Sequence, residues 1–268
     1  MSHFLIPFYG NKSKEYKYIE PFLDFNGIEN IIEPFCGSSA ISFNIWLKHP
    51  HLNFYLNDID LDLINHYNLL KNNDINEIYD TINQYKIQYN KPDEYREFAK
   101  TANKETPIDP LKYFFMKKAS RFRANETLTI DYHNNSNNFP KLTNLKLKFI
   151  EFVKSPNVYI SNDDWSVLFN KYKTNMNTMF FIDPPYIDSD NTFYNKKAKQ
   201  EYDDTVYRFF HKNKISSFNS KIFVILELIE KNNEIFGEEN IIETYDKMYI
   251  LKKKKTKHAI FSNLKNLP

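Results

Sequence analysis

Residues 178–186 read Thr178-Met179-Phe180-Phe181-Ile182-Asp183-Pro184-Pro185-Tyr186, an apolar run halted by an acid, two prolines and an aromatic ring. The run is wholly apolar and has the length of a buried strand. Proline donates nothing to a sheet, so Pro184 and Pro185 end the strand at once. Asp183 and Tyr186 are therefore expected at the carboxyl end of a central strand, where open α/β sheets place their ligand crevices. The stiff turn also leaves the Pro184 carbonyl pointing outward. A carboxylate and a fixed carbonyl each accept one hydrogen of an NH2 group, and the ring stacks on the plane that bears it. Taken alone, the same residues also fit a strand entering a surface turn, with Asp183 capping and Tyr186 packed.

A second strand end matches the first. In Asn30-Ile31-Ile32-Glu33-Pro34-Phe35-Cys36-Gly37-Ser38-Ser39, an apolar strand runs into a turn, and Ile41, Ile45 and Trp46 mark a following helix. Ser38 and Ser39 are good N-cap residues. Gly37, one of only four glycines, lets a ligand approach the backbone. The Gly-rich fingerprints of dinucleotide and phosphate loops are absent, so the loop suits another cofactor. Further on, Asn53-Phe54-Tyr55-Leu56-Asn57-Asp58-Ile59-Asp60 is another short strand ending in acid. An acid at such a strand end accepts hydrogen bonds from ribose hydroxyls. Asp58 is the candidate for that work, and Asp60 for capping the helix of Leu63, Ile64 and Tyr67.

These three strand ends, in this order, resemble the adenine-N6 DNA methyltransferases related to DNA adenine methylase, the alpha group of amino-methyltransferases. Phe8-Tyr9-Gly10-Asn11-Lys12 resembles the family's aromatic-x-Gly-Gly-Lys element, which closes over the cofactor; Asn11 stands where the second glycine would be. Val158 to Trp165 resembles the strand ending in Asp-Phe, with Asp164 and Trp165 in the places that hold the cofactor's adenine. His258 to Asn263 resembles the closing strand. The resemblance spans 4–70 and 157–264.

It implies a Rossmann-like, S-adenosylmethionine-dependent α/β sheet of seven strands, the last antiparallel, with an inserted helical target-recognition domain. The expected division is 1–70 with 151–268 as the catalytic domain, and 71–150 as the recognition domain. The implied catalytic residues are Asp183, Pro184, Pro185 and Tyr186. The implied S-adenosylmethionine residues are Phe8, Tyr9, Gly10, Lys12, Glu33, Pro34, Phe35, Cys36, Gly37, Ser38, Asp58, Ile59, Asp164, Trp165 and Asp183. The implied activity is methylation of an adenine flipped out of double-stranded DNA. Three alternatives stand beside it: cytosine-N4 methylation, RNA adenine methylation, and an inactive nucleic-acid-binding relative. Cytosine-N4 enzymes usually carry serine in place of Asp183.

The middle of the chain changes character. Ile75, Ile78, Ile82 and Tyr85 have helical spacing, as do Tyr95, Phe98 and Ala99, and Pro107 and Pro110 interrupt the pattern. Leu111 to Ala119 reads as a third helix with a basic face, 131–138 as an Asn-rich loop, and Leu142, Leu145 and Phe149 as renewed helix. Lys112, Lys117, Lys118, Arg121, Arg123 and Asn125 are candidates for phosphate and base contacts. So are Tyr194, Lys196 and Lys197, in a polar stretch at 188–200 that follows the Asp-Pro-Pro-Tyr turn. Lys252 to Lys255 is read as the tip of a hairpin on the catalytic face.

The whole chain carries 36 basic against 34 acidic side chains, a net charge of +2 over 268 residues. Any nucleic-acid surface is thus local rather than global. One cysteine excludes an internal disulfide and a cysteine-based zinc cluster. There is neither a membrane-length apolar run nor a signal-peptide pattern, so the expected location is the cytoplasm, the host's if the source is viral. No metal is expected. A monomer or weak dimer is expected, and the resemblance makes a cognate restriction endonuclease a candidate partner.

Overall fold

The computed structural model describes residues 3–6, 11–119, 142–186, 201–249 and 254–264. Several expectations fall outside these: Phe8, Tyr9, Gly10, the Lys118 side chain, Arg121, Arg123, Asn125, the Asn-rich loop, the 188–200 stretch with Tyr194, Lys196 and Lys197, and Lys252 and Lys253.

The strands are β1 (Asn30–Glu33), β2 (Asn53–Asn57), β3 (Val158–Ser161), β4 (Thr178–Ile182), β5 (Lys221–Glu227), β6 (Ile241–Tyr249) and β7 (Lys254–Ser262). They form a seven-stranded sheet ordered β3-β2-β1-β4-β5-β7-β6. β1 lies parallel to both β2 and β4, and β4 parallel to β5. β7 runs antiparallel to β5 and to β6, as expected of the last strand. The helices in chain order are α1 (Tyr16–Ile19), α2 (Ala40–Trp46), α3 (Leu61–Asn72), α4 (Ile75–Gln88) and α5 (Pro92–Ala102). They continue with α6 (Pro110–Ala119), α7 (Asn144–Lys154), α8 (Trp165–Tyr172), α9 (Glu201–Lys212) and α10 (Glu230–Phe236).

The chain divides into two compact units, one of 11–59 with 163–268 and the other of 1–10 with 60–162. In the first, β4 is buried at all five positions, which is why its sequence shows no polar alternation. Ile32, Phe180, Ile182, Val224 and Phe261 pack with Trp165, Phe169, Phe210 and Phe236 in one core. Phe181 and Phe223 stack in neighbouring strands, with ring centroids 5.2 Å apart.

The second unit is mainly helical. Asp60 caps α3, its Oδ1 accepting from the backbone N–H of Asp62 and Leu63, as its position after β2 predicted. Phe4, His66, Tyr67 and Phe149 meet in one aromatic cluster, and Tyr85, Tyr89, Phe98 and Phe115 in another. Lys71 sends its ammonium to the carbonyls of Val153, Ser155 and Val158 at 2.7–3.2 Å, so the end of α7 and the start of β3 share one cation. Pro110 opens α6 rather than breaking a helix, since the first helical position needs no N–H donor.

Two local expectations are corrected. Ser39 occupies the N-cap of α2 but has a left-handed backbone (φ 49°) and makes no capping bond, so neither serine caps as the pattern suggested. A remote carboxylate does the capping instead, as described below. β7 already begins at Lys254, so Lys254 and Lys255 belong to a strand rather than to a hairpin tip, and Lys255 is ion-paired with Asp246 at 2.8 Å.

Candidate active site

β1 and β4 are parallel neighbours with Ile32 beside Phe180, so the Glu33–Gly37 turn and Asp183–Tyr186 leave the sheet side by side. Adjacent strands lie only about 4.8 Å apart, which brings the two loops within reach of one small ligand.

Asp183 is the first residue past β4, and its side chain is 23 % exposed. The Lys12 ammonium forms an ion pair with its Oδ2 and lies 3.4 Å from the Tyr186 hydroxyl. Burial pushes the Asp183 carboxyl up from its ordinary value, while Lys12 pulls it back. Pro184 is buried, and among the described residues its carbonyl receives no hydrogen bond. The next carbonyl, of Pro185, is taken by the Tyr207 hydroxyl of α9 at 2.9 Å. One anchored carbonyl thus fixes the turn and leaves its neighbour available. Tyr186 is half-buried, with its ring edge-on to His258 of β7 at 5.9 Å. Burial holds His258 neutral, its pKa lowered to about 3, with Lys247 and Lys12 adding to the shift.

At the end of β1, Glu33 accepts the Ser42 backbone N–H at 2.7 Å and so supplies the missing cap of α2. It is 5 % exposed, and burial raises its pKa to about 7 against the opposing Ser42 bonds. Gly37 has φ 48°, a left-handed conformation that glycine adopts without strain, and it donates its N–H to Asp58 Oδ2 at 3.0 Å. Pro34, Cys36 and Ser38 are buried; Phe35, Gly37, Asp58 and Ile59 are half-buried. Burial first, then Asp58 and Glu33, push the Cys36 thiol well above its ordinary value, so it stays protonated and inert.

Asp164 caps α8 through the backbone N–H of Ser166 at 2.9 Å. Trp165 is 2 % exposed within the core, with Phe35 stacked beside it at 6.2 Å. The exposed ring of that pair is thus Phe35.

Sequence reasoning passed over Asn57 in favour of Asp58. Asn57 is fully buried; its amide donates to the carbonyls of Pro34 (3.0 Å) and Asp163 (2.9 Å) and accepts the Asp163 N–H (2.8 Å). It ties the loops after β1 and β2 to the entry of α8. The signal was present: a polar residue in the last position of an apolar strand must find partners once buried. Lys12, in the element that resembles the one closing over the cofactor, is ion-paired with Asp183.

Of the candidate DNA-contacting residues on α6, Lys112 and Lys117 are already engaged. Lys112 pairs with Glu105. Lys117 is half-buried and 5.1 Å from the Tyr113 ring centroid; burial lowers its pKa, and Asp60 and Asp62 act against the shift. A shallow cavity of about 470 Å³ is lined by residues of α4, α5 and α6, including Tyr89, Glu94, Phe98 and Lys112. It holds no strand end, and Glu94 and Lys112 are paired with Lys91 and Glu105.

A mixed sheet whose last strand is antiparallel, with a carboxylate and a glycine turn at adjacent strand ends, defines the methyltransferase class of α/β fold. The family model for D12 class N6 adenine-specific DNA methyltransferase matches residues 8–250, and the chain belongs to that family. It is an enzyme that methylates adenine N6 in DNA, which removes the cytosine and RNA alternatives. A comparison with curated proteins gave no match. Family membership implies a methyl donor. No helix among the described residues is long and apolar enough to cross a membrane.

Proposed function

We propose that the methyl donor is S-adenosylmethionine, held by the Phe35–Gly37 turn and Asp58, and that Asp183, Pro184 and Tyr186 receive an adenine flipped out of the duplex. The carrying observation is the pair of loops leaving adjacent strands, one with a glycine cradle and a half-buried acid, the other with a carboxylate and a ring.

The donor set fits the cofactor. Asp58 offers a carboxylate for ribose hydroxyls, Phe35 a ring face backed by Trp165, and Gly37 a backbone without a side chain. When bound, the cofactor supplies an activated methyl on its sulfonium. The adenine amino group is a poor nucleophile because its lone pair is delocalised into the ring. Asp183 and the Pro184 carbonyl accept its two N–H groups and hold the lone pair on nitrogen. This is positioning together with electrostatic complementarity to a nitrogen becoming cationic. Flipping costs a few kcal/mol, and stacking on Tyr186 returns about 1–3 kcal/mol. Lys12 stays on Asp183 Oδ2 and shares the carboxylate with the arriving amino group, which takes the other oxygen.

Residues 71–150, with Lys112, Lys117, Lys118, Arg121, Arg123 and Asn125, are proposed as the target-recognition region. Tyr194, Lys196 and Lys197 are proposed to follow the substrate strand. Lys112 then exchanges Glu105 for a phosphate on binding. A monomer or weak dimer acting in the cytoplasm, alone or beside a cognate nuclease, is the assembly proposed.

The test is transfer of a tritiated methyl group to duplex DNA, followed by nucleoside analysis. Label in N6-methyladenine is expected, with Tyr186→Ala losing about tenfold or more and Tyr186→Phe little, because stacking uses the ring. Equal losses in the two variants refute the stacking role.

A further inference from the structure

Behind Asp183 lies a second layer of charge that the reaction as described does not use. The segment 11–19 turns at Lys12, whose backbone carbonyl accepts the N–H of both Glu15 and Tyr16 at 3.0 Å. That turn fixes the position of Glu15 relative to Lys12. Glu15 is 6 % exposed at its side chain and ion-paired at 2.6 Å with Lys247 of β6, itself 16 % exposed. One turn on, Tyr18 stacks flat on Tyr245 of β6, with centroids 4.4 Å apart and planes at 10°. Two contacts therefore fasten the arm to one strand, and the residue at the head of the arm is the one that reaches Asp183.

Exposed ion pairs contribute little, but a pair this deeply buried leaves a costly lone charge when either partner is removed. Glu15 makes the point sharper. Its second oxygen, Oε2, is buried without a hydrogen-bond partner among the described residues, where Lys247 is the cation paired with that carboxylate. Without Lys247, Glu15 would compete with Asp183 for Lys12, the cation at the head of the same turn.

We propose that Glu15 and Lys247 are positioning residues for the reaction: their ion pair, with the Tyr18–Tyr245 stack, holds the arm so that the Lys12 ammonium stays on the Asp183 carboxylate. The inference rests on the reading of Asp183 as the group that receives the adenine amine. The ionisable groups facing Asp183 among the described residues are Lys12 and Glu15 from the arm, Glu33 from β1 and Lys247 from β6. His258 of β7 stands behind Tyr186 and is neutral.

The arrangement has a signature that simple loss of packing lacks. Lys247→Met removes a cation near Asp183 and strands the Glu15 carboxylate, both of which raise the Asp183 pKa. The acid limb of the kcat profile then moves to higher pH. Glu15→Gln removes an anion, leaves Lys247 beside Asp183 and keeps the arm fastened by the Tyr18–Tyr245 stack, so the limb moves to lower pH. Single-turnover methylation of PCR-made, mixed-sequence duplex DNA at saturating cofactor, across pH 5–9, measures both. The expected result is limb shifts of opposite sign, about half a unit or more each. In Lys247→Met, kcat falls about tenfold or more with little change in cofactor KM. Lys247→Arg restores both.

Limbs that do not move, or that move the same way in both variants, overturn the proposal. So does loss of rate in simple proportion to loss of folded protein, read by thermal melts of the same samples. An Asp183→Asn control separates the two levels of argument. If it is inactive while Lys247→Met and Glu15→Gln behave as wild type, the positioning role fails and the active-site reading survives. If Asp183→Asn turns over normally, the active-site reading itself fails.

Discussion

The ends of β2 and β4 look alike as sequence and do different work. Each is a strand of five residues closing on acid, Asn57-Asp58 in one and Asp183-Pro184-Pro185 in the other. At β2 the polar groups turn inward: Asn57 holds three backbone groups of other loops, and Asp58 holds the Gly37 N–H. At β4 the prolines forbid that kind of knitting. They have no N–H to offer, so Asp183 is left with side chains, Lys12 above all. One strand end ties loops together, and the other, on the proposed reading, keeps its carboxylate for chemistry.

The contrast is broken most directly by Asp183→Ala. Removal of a carboxylate that acts on the reacting nitrogen should cost on the order of a thousandfold in turnover. Cofactor affinity, measured by calorimetry, should hardly change; a large loss of affinity with kept turnover would reverse the roles assigned to the two ends. Asn57→Ala should cost about 3 kcal/mol in unfolding free energy, because three buried backbone groups lose their partner. A urea melt measures it, and a loss below about 1 kcal/mol would show the loops to be held by other means.

Between these two ends lies Glu33, and its signature is in pH. Its folded pKa of about 7 lies above the ordinary 4.5, so the native state favours the protonated form. The stabilisation from this group is complete below pH 4.5, declines through the window up to about 7, and is gone above it. The loss amounts to roughly 3 kcal/mol, and Glu33→Gln should remove that slope while its amide oxygen still accepts the Ser42 N–H. Parallel urea series at the two ends of that window decide it; an unchanged slope assigns the pH dependence to another group. The smallest effect is expected at Asp58→Asn, a rise of about tenfold in cofactor KM with kcat kept.

Much of this was legible in the residues. β4 was identified from an unbroken apolar run and two prolines, because a strand covered on both faces admits no polar alternation. α4, α5 and α7 followed from helical spacing, and the Asp60 cap from its place between strand and helix. What was misjudged has a common cause. Ser38 and Ser39 suit an N-cap by propensity, yet α2 is capped by Glu33, nine residues before Ser42 and on a different element. Nor does spacing within α6 reveal that Glu105, in the preceding loop, takes Lys112. The burial of Trp165 and the bonding of Asn57 likewise depend on elements far away in the chain.

The sequence by itself determined where strands stop, because the missing N–H of proline and the hydrophobicity of a five-residue run act on the chain locally. It also determined, through the order of its motifs, the family to which the chain belongs. The tertiary structure alone decided which charges meet. Lys12 and Asp183 are 171 residues apart, and Glu15 and Lys247 lie on different elements. Ion pairing under burial depends on distance and desolvation, and neither exists until the sheet has brought distant segments together.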